Sequence, residues 1–265
     1  NEARAAASLK HANIVQVYSV GCERGVHYYA MEFVEGQSLA ELIRAWREEP
    51  PSGHRPAPAG AGVADQPQPP SGDTPPVQQA AVSTHGSRRG LERHRSLTHW
   101  AIQAAEALEH AHQMGVVHRD IKPANLLVDA RGHLWITDFG LAHVQTDVGI
   151  TMTGDVLGTL RYMSPEQAGG KRSVVDHHTD IYSLGATLYE LLTLHPPFRS
   201  DDRRQLLREI LNEEPLAPRQ LDKSVPIDLQ PIILKTLSKE PQERYATAQD
   251  LVADLRRFEA DRPIQ

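Results

Sequence analysis

A carboxylate, an ammonium and an amide are spaced along one short stretch of this chain, His118-Arg119-Asp120-Ile121-Lys122-Pro123-Ala124-Asn125. Asp120 can accept a proton from a hydroxyl, Lys122 can neutralise a phosphoryl oxygen, and Asn125 can hold a divalent cation through its amide oxygen. Together these groups meet the needs of phosphoryl transfer, which an acid alone would not. Asp138-Phe139-Gly140 follows the strand-like run Leu134 to Thr137 and adds a second carboxylate for a metal; Ser164-Pro165-Glu166 lies downstream.

Such groups act together only if neighbouring elements bring them to one place. Leu97, Trp100, Ala101, Ala104, Leu108 and Ala111 recur at intervals of three and four, which predicts a helix from Ser96 to Met114, ended by Gly115. Val116-Val117 reads as a short buried strand carrying His118. Leu126 to Val128 and Leu134 to Ile136 predict a hairpin around Asp129-Ala130-Arg131-Gly132, so that Asp120, Asn125 and Asp138 converge at the ends of short strands. Leu141 to Met163 has little periodicity and carries Thr146, Thr151, Thr153 and Thr159. Asp176 to Leu194 reads as a core helix stopped by Pro196-Pro197, with Asp180 near its start. Gln205 to Leu211, Leu229 to Leu237 and Ala248 to Phe258 read as further helices.

The chain opens on a helical run, Glu2 to Leu9, followed by two strands, Ile14 to Val20 and Val26 to Val34. Ser38 is placed to cap a helix over Leu39 to Trp46. From Pro50 to Arg95 the chain is crowded with Pro, Gly, Ala, Ser and Gln and has no Phe, Trp or Tyr, so it reads as a disordered insertion. Within it, Pro69-Pro70 and Pro75-Pro76 suit either a spacer or a polyproline ligand for a partner domain. The basic residues Arg88-Arg89 and Arg93 to Arg95 suit a solvated run or a docking patch.

Composition narrows the classes further. The chain has 265 residues, of which 40% are hydrophobic and 23% charged, enough for one large domain or two lobes. A formal charge of -6 makes no overall electrostatic case for nucleic acid or a membrane surface. Cys22 is the only cysteine, which excludes an internal disulfide and fits a reducing, cytoplasmic setting. No run of about 18 apolar residues occurs and the first residues do not read as a signal peptide, so no membrane contact is expected of this segment.

The order of the two acidic loops, with Ser164-Pro165-Glu166 where Ala-Pro-Glu is usual, resembles the protein kinase family. The wording from Leu237 to Tyr245 closely resembles bacterial eukaryotic-like serine/threonine kinases. The resemblance implies an α/β (α+β) two-lobed fold, with a small β lobe and a mainly helical large lobe. Residues 1–34 would be the part of the small lobe present, 35–49 the start of the large lobe, 50–95 an insertion, and 96–265 the rest of the large lobe. It implies ATP and Mg2+ as cofactors and protein Ser/Thr hydroxyls as acceptors. Asp120, Lys122 and Asn125 would be catalytic, Asn125 and Asp138 metal-holding, and Met31, Glu32, Phe33, Val34, Leu127 and Asp138 nucleotide-binding, Met31 as gatekeeper and Glu32 to Val34 as hinge.

Other roles follow from the same resemblance. Glu2 would pair with a lysine of strand three, His118 would pack under Phe139, and Gly140 would complete the metal loop. Arg119 would receive a phosphothreonine at Thr151 or Thr153, while Thr159 would contact the catalytic aspartate. Glu166 and Arg244 would form a buried ion pair, and Asp180 would hold the backbone near Arg119, a reading compatible with its capping its own helix. The family's glycine-rich loop and Val-Ala-x-Lys strand are not found in these 265 residues, so the segment alone is expected to be inactive. The alternative is a pseudokinase scaffold. The four intact polar groups argue against it, and the missing lysine argues for it.

Overall fold

The computed structural model describes residues 9–24, 26–48, 84–139, 153–170 and 175–264. Two strands, β1 (Val17–Glu23) and β2 (Val26–Met31), form an antiparallel hairpin in which Cys22 faces His27 and Val17 faces Met31. Tyr18, Tyr28 and Phe33 of this region are exposed. The alternating pattern that begins at Ile14 was expected to enter β1, but the chain divides there. Ile14 bridges Ile136 in parallel, with Val15 N donating to Ile136 O at 2.9 Å and Ile136 N to Asn13 O at 2.8 Å. The Asn13 amide anchors this junction by donating to Gln103 Oε1 and Leu134 O, each at 2.8 Å.

A three-stranded antiparallel sheet follows, made of β3 (Gly36–Ser38), β4 (Leu126–Asp129) and β5 (Leu134–Ile136). The sequence reading has Ser38 only capping the next helix, and β3 is an addition to it. Its three residues do both jobs: Ser38 pairs with Leu127, and Ser38 also caps α1 (Leu39–Glu48), with a Glu41 carboxylate accepting from Ser38 N at 2.7 Å. Leu126, Val128, Leu134 and Ile136 are buried and their intervening neighbours are not, as the two-residue period of a half-buried sheet requires. Gly132 turns the β4–β5 connection at a φ of 80°.

Two long helices form the core. In α2 (Thr84–Gln113) the stripe Leu97, Ala101, Ala104, Leu108 and Ala111 is fully buried. Helix α2 begins at Thr84 and not at Ser96, so the last part of the segment read as a disordered insertion is helical. Polar side chains hold this early portion. His94 is buried, and Arg93 donates to Leu192 O at 2.6 Å while its guanidinium lies 5.2 Å from the Trp46 ring. Arg93 is thus committed to the lobe's interior contacts, neither a docking patch nor merely solvated.

The segment read as unperiodic contains α3 (Thr153–Leu160), whose buried Leu160 packs with Phe198, Leu206 and Ile210. Next come α4 (Pro165–Ala168) and α5 (His178–Thr193), which is buried on every side from Thr179 onward. Thr187 and Thr193 satisfy their hydroxyls on carbonyls one turn back. Helices α6 (Arg203–Asn212), α7 (Pro218–Leu221), α8 (Leu229–Thr236) and α9 (Ala248–Glu259) complete the lobe. At Gly185 a Cβ would stand 1.8 Å from Thr236 Oγ1, so α5 and α8 need that glycine to approach each other. Among the described residues, no helix is long and apolar enough to cross a membrane.

Candidate active site

Gly115, at a φ of 74°, ends α2 and turns the chain into Val116-Val117, which among the described residues forms no strand, contrary to the sequence reading. The backbone that follows is fixed from inside the protein. Asp180, in the first turn of α5 and fully buried, accepts Arg119 N at 2.7 Å on one oxygen; the other accepts His118 N at 2.8 Å and meets His112 Nε2 at 2.8 Å. Burial pushes its carboxyl up, but the hydrogen bonds from His112 and from the His118 backbone outweigh this and hold it below the usual range. Of the two readings of Asp180, the structure brings out the bond to the loop backbone; the N-cap residue of α5, His177, makes no side-chain cap, and it is Asp176 Oδ1 that accepts His178 N, at 2.9 Å.

Arg119 has a φ of 67°, a left-handed conformation that a non-glycine residue holds only when its surroundings dictate it. Asp180 grips its N–H, and Gln167 Nε2 donates to its carbonyl at 2.8 Å. Gln167 is placed in turn by a capping box, its Oε1 accepting Ser164 N at 3.1 Å. The bend at Arg119 therefore has a fixed donor and a fixed acceptor on either side.

His118 is fully buried and both its nitrogens are engaged. Nε2 lies 2.8 Å from Thr137 O, which can only accept, so Nε2 carries the proton, and Nδ1 accepts Asp120 N at 3.3 Å. Its ring meets Phe139 edge-on, with centroids 4.5 Å apart. The imidazole joins the two acidic loops and leaves no nitrogen for chemistry.

Around Asp120 the polar groups converge. Lys122 Nζ lies 2.8 Å from Asp120 Oδ2 and donates to Thr159 Oγ1 at 3.1 Å. Asn125, in a 3-10 turn over Pro123–Asn125, donates through Nδ2 to Asp120 O at 2.8 Å and to Oδ2 at 3.2 Å. Its amide oxygen is thereby the atom not turned to Asp120. Thr137 N returns to Asn125 O at 3.0 Å, and Asp138 stands next in the chain at a φ of 63°, its carboxylate accepting Thr137 Oγ1 at 3.3 Å. The site thus offers a carboxylate, a cation, and two hard oxygen donors of the kind magnesium prefers.

Glu166 and Arg244 form a second, wholly buried centre. Nη1 meets Oε1 and Nη2 meets Oε2, each at 2.8 Å, and Arg244 also donates to Ser238 O, His178 O and Lys239 O. Burial pushes the Glu166 carboxyl up, but bonds from Arg244 and Thr179 bring it below its ordinary value. The pair is joined to the Asp120 loop through α4, which carries both Glu166 and Gln167.

The remaining candidates are more dispersed. Met31 ends β2, Glu32 N donates to Gln16 O at 2.9 Å, Phe33 is 89% exposed, Val34 is half-buried, and Leu127 pairs with Trp135 in the sheet. Thr153 is the first residue of α3. Glu2, Gly140 and Thr151 lie outside the described residues. Sequence reasoning passed over His112 and Gln167, although Ser164 followed three residues later by Gln is a capping-box signature that pointed to Gln167.

Residues 76–255 match the family described as "Protein kinase domain". The serine/threonine-protein kinase PrkC of Bacillus subtilis is 36% identical over 262 residues, covering 98% of this chain and 34% of PrkC. PknB of Mycobacterium leprae is 34% identical over 267 residues, covering 99% of this chain and 36% of PknB. The chain spans about a third of the length of these curated relatives. Among solved structures, the Mycobacterium tuberculosis PknI kinase domain superposes with a TM-score of 0.61 at 21% identity, over 96% of this chain and 75% of that one. Rad53 in complex with AMP-PNP gives 0.64 at 24% identity, over 95% and 52%. At these identities the two structures speak for the fold alone.

Proposed function

The chain belongs to the protein kinase family, with the bacterial eukaryotic-like serine/threonine kinases, and we propose that it carries the machinery that moves the γ-phosphoryl group of ATP to protein Ser or Thr hydroxyls. The observation that supports this most is the pair of bonds made by Lys122 Nζ, to Asp120 Oδ2 and to Thr159 Oγ1. A base and a cation are held in contact at a point where a hydroxyl and a phosphoryl group would meet.

In this reading the Asp120 carboxylate orients the substrate hydroxyl and accepts its proton as the oxygen attacks phosphorus. Lys122 moves from Asp120 to the phosphoryl oxygens, where charge must be stabilised in the transition state. Asn125, through the oxygen left free by its bonds to Asp120, and the Asp138 carboxylate would hold Mg2+, which when bound neutralises phosphate charge. The backbone of Met31, Glu32, Phe33 and Val34 would receive the adenine, with Leu127 beside it. Glu2 would take the lysine partner, and Arg119 a phosphothreonine from Thr151 or Thr153. A partner domain on the Pro-rich stretch gains no support from the comparisons, nor does a scaffold without catalysis.

The test is phosphoryl transfer by the full natural chain to a generic basic protein. Asp120→Asn is expected to lower the rate by about 10²–10⁴-fold, the worth of a positioned general base. Unchanged turnover in that variant, with folding intact, would remove Asp120 from the reaction.

A further inference from the structure

At the start of α5 three metal-ligating residues stand in succession, Asp176, His177 and His178, and the phosphoryl-transfer reading uses none of them. One ligand atom of each lies within 4.8 Å of the others. Asp176 is exposed and the two histidines are half-buried, so the group is open to solvent on one side and fixed on the other.

The fixing is of the kind found behind metal-bound imidazoles. His177 Nε2 lies 2.9 Å from Ala246 O. A carbonyl only accepts, so Nε2 carries the proton and Nδ1 is left with its lone pair. A ligating histidine ordinarily donates its other nitrogen to a carbonyl or carboxylate in this way, which sets tautomer and ring orientation. His178 Nδ1 lies 2.9 Å from Asp176 Oδ1, and the same oxygen accepts His178 N at 2.9 Å. Two ligands bound to zinc at about 2.0–2.2 Å in a tetrahedral array stand about 3.3 Å apart, so a small opening of this pair admits a cation. Arg244 donates to His178 O at 3.0 Å, but Glu166 neutralises its guanidinium through two bonds of 2.8 Å.

A second observation comes from another helix. His112 of α2 has its ring centroid 5.6 Å from that of His177, and its side chain is 7% exposed. Its Nε2 is held by the Asp180 carboxylate at 2.8 Å, while its Nδ1 is buried and, among the described residues, has no hydrogen-bond partner. Buried polar atoms are nearly always satisfied, and an imidazole with a carboxylate behind one nitrogen and a bare second nitrogen is a prepared donor.

We propose that Asp176, His177 and His178 form a binding site for a first-row transition cation of the zinc type, with His112 as the adjacent nitrogen donor, to the cation or to a water bound on it. Two imidazoles and one carboxylate favour zinc, nickel or copper over magnesium, which separates this site from the oxygen donors Asn125 and Asp138. A cation here would tie the first turn of α5 to its surroundings, and Asp180 in that turn holds the His118 and Arg119 backbone.

The inference stands apart from the phosphoryl-transfer reading, and its test needs no catalysis. The full natural chain, stripped with chelator and free of nucleotide and magnesium, is titrated with Zn2+ by calorimetry and with Co2+ by visible absorption. One Zn2+ per chain is expected. His177→Gln and His178→Gln should each weaken it by more than about 100-fold and abolish the Co2+ band, and His112→Gln should weaken it about 10–100-fold, as loss of a supporting group does. Far-ultraviolet circular dichroism checks that each variant is folded; the exposed Asp176→Asn, which leaves the helix contacts intact, should weaken binding as well. No zinc uptake by the wild type, or uptake that survives the two histidine substitutions, overturns the proposal.

Discussion

Replacing Asp180 by asparagine changes only one atom's chemistry, yet the structure gives it a large effect. The carboxylate accepts from three directions, Arg119 N at 2.7 Å, His118 N at 2.8 Å and His112 Nε2 at 2.8 Å, in full burial. Asparagine brings one oxygen and one NH2. Its best orientation keeps the oxygen on His118 and His112 and sets an N–H against the Arg119 N–H. That leaves a buried donor unsatisfied, at about 1–3 kcal/mol, and strips the charge assistance from the two remaining bonds. The sum is about 3–5 kcal/mol, similar to the effect of breaking a buried ion pair. The donor released is that of Arg119, whose φ of 67° is the most demanding backbone angle of the loop. The loop should relax there, one residue from Asp120, and a displacement of about 1 Å costs on the order of 100-fold in rate. The assay is urea unfolding together with kcat of the full natural chain. A variant within about 1 kcal/mol of wild type and with undiminished kcat would refute the claim that Asp180 sets this loop.

Other consequences are as direct. Gly185→Ala should destabilise by about 1–3 kcal/mol, because the new Cβ would stand 1.8 Å from Thr236 Oγ1; adding Thr236→Gly should return most of the loss in the same urea experiment. Arg93→Ala should cost about 1–2 kcal/mol by freeing the carbonyls of Leu191 and Leu192, and a silent substitution would show that the early part of α2 does not belong to the lobe. Asp180 and Glu166 both have lowered pKa values in the folded state, so the stability they contribute is present above about pH 4 and is lost as pH falls through their folded values. Glu166→Gln should therefore be less stable than wild type at neutral pH and show a flatter acid limb, measured as urea midpoint against pH.

The catalytic candidates were legible because their chemistry depends on residue type at short spacing, and a loop of Asp120, Lys122 and Asn125 can converge without knowledge of the rest. The α2 stripe and the β4–β5 hairpin were legible from period, since one face of each is buried. What escaped was settled by partners distant in sequence. Ile14 has the pattern of a strand entering β1, but its bridge goes to Ile136. The start of α2 looked like spacer because arginine and histidine count as solvated in any periodic reading, and here Arg93 and His94 find carbonyls and burial. His112 gave no chemical signal of its own and Gln167 only that of a capping box; their importance comes from the Asp180 carboxylate and the Arg119 carbonyl that they meet.

The account rests on Asp120 acting as the base toward a serine or threonine hydroxyl. The most direct measurement is phosphoamino-acid analysis of a basic protein incubated with [γ-32P]ATP, magnesium and the full natural chain, wild type beside Asp120→Asn. The account predicts label on phosphoserine or phosphothreonine, reduced by about 10²–10⁴-fold in the variant. Label on phosphotyrosine, or equal label with and without the Asp120 carboxylate, would contradict it.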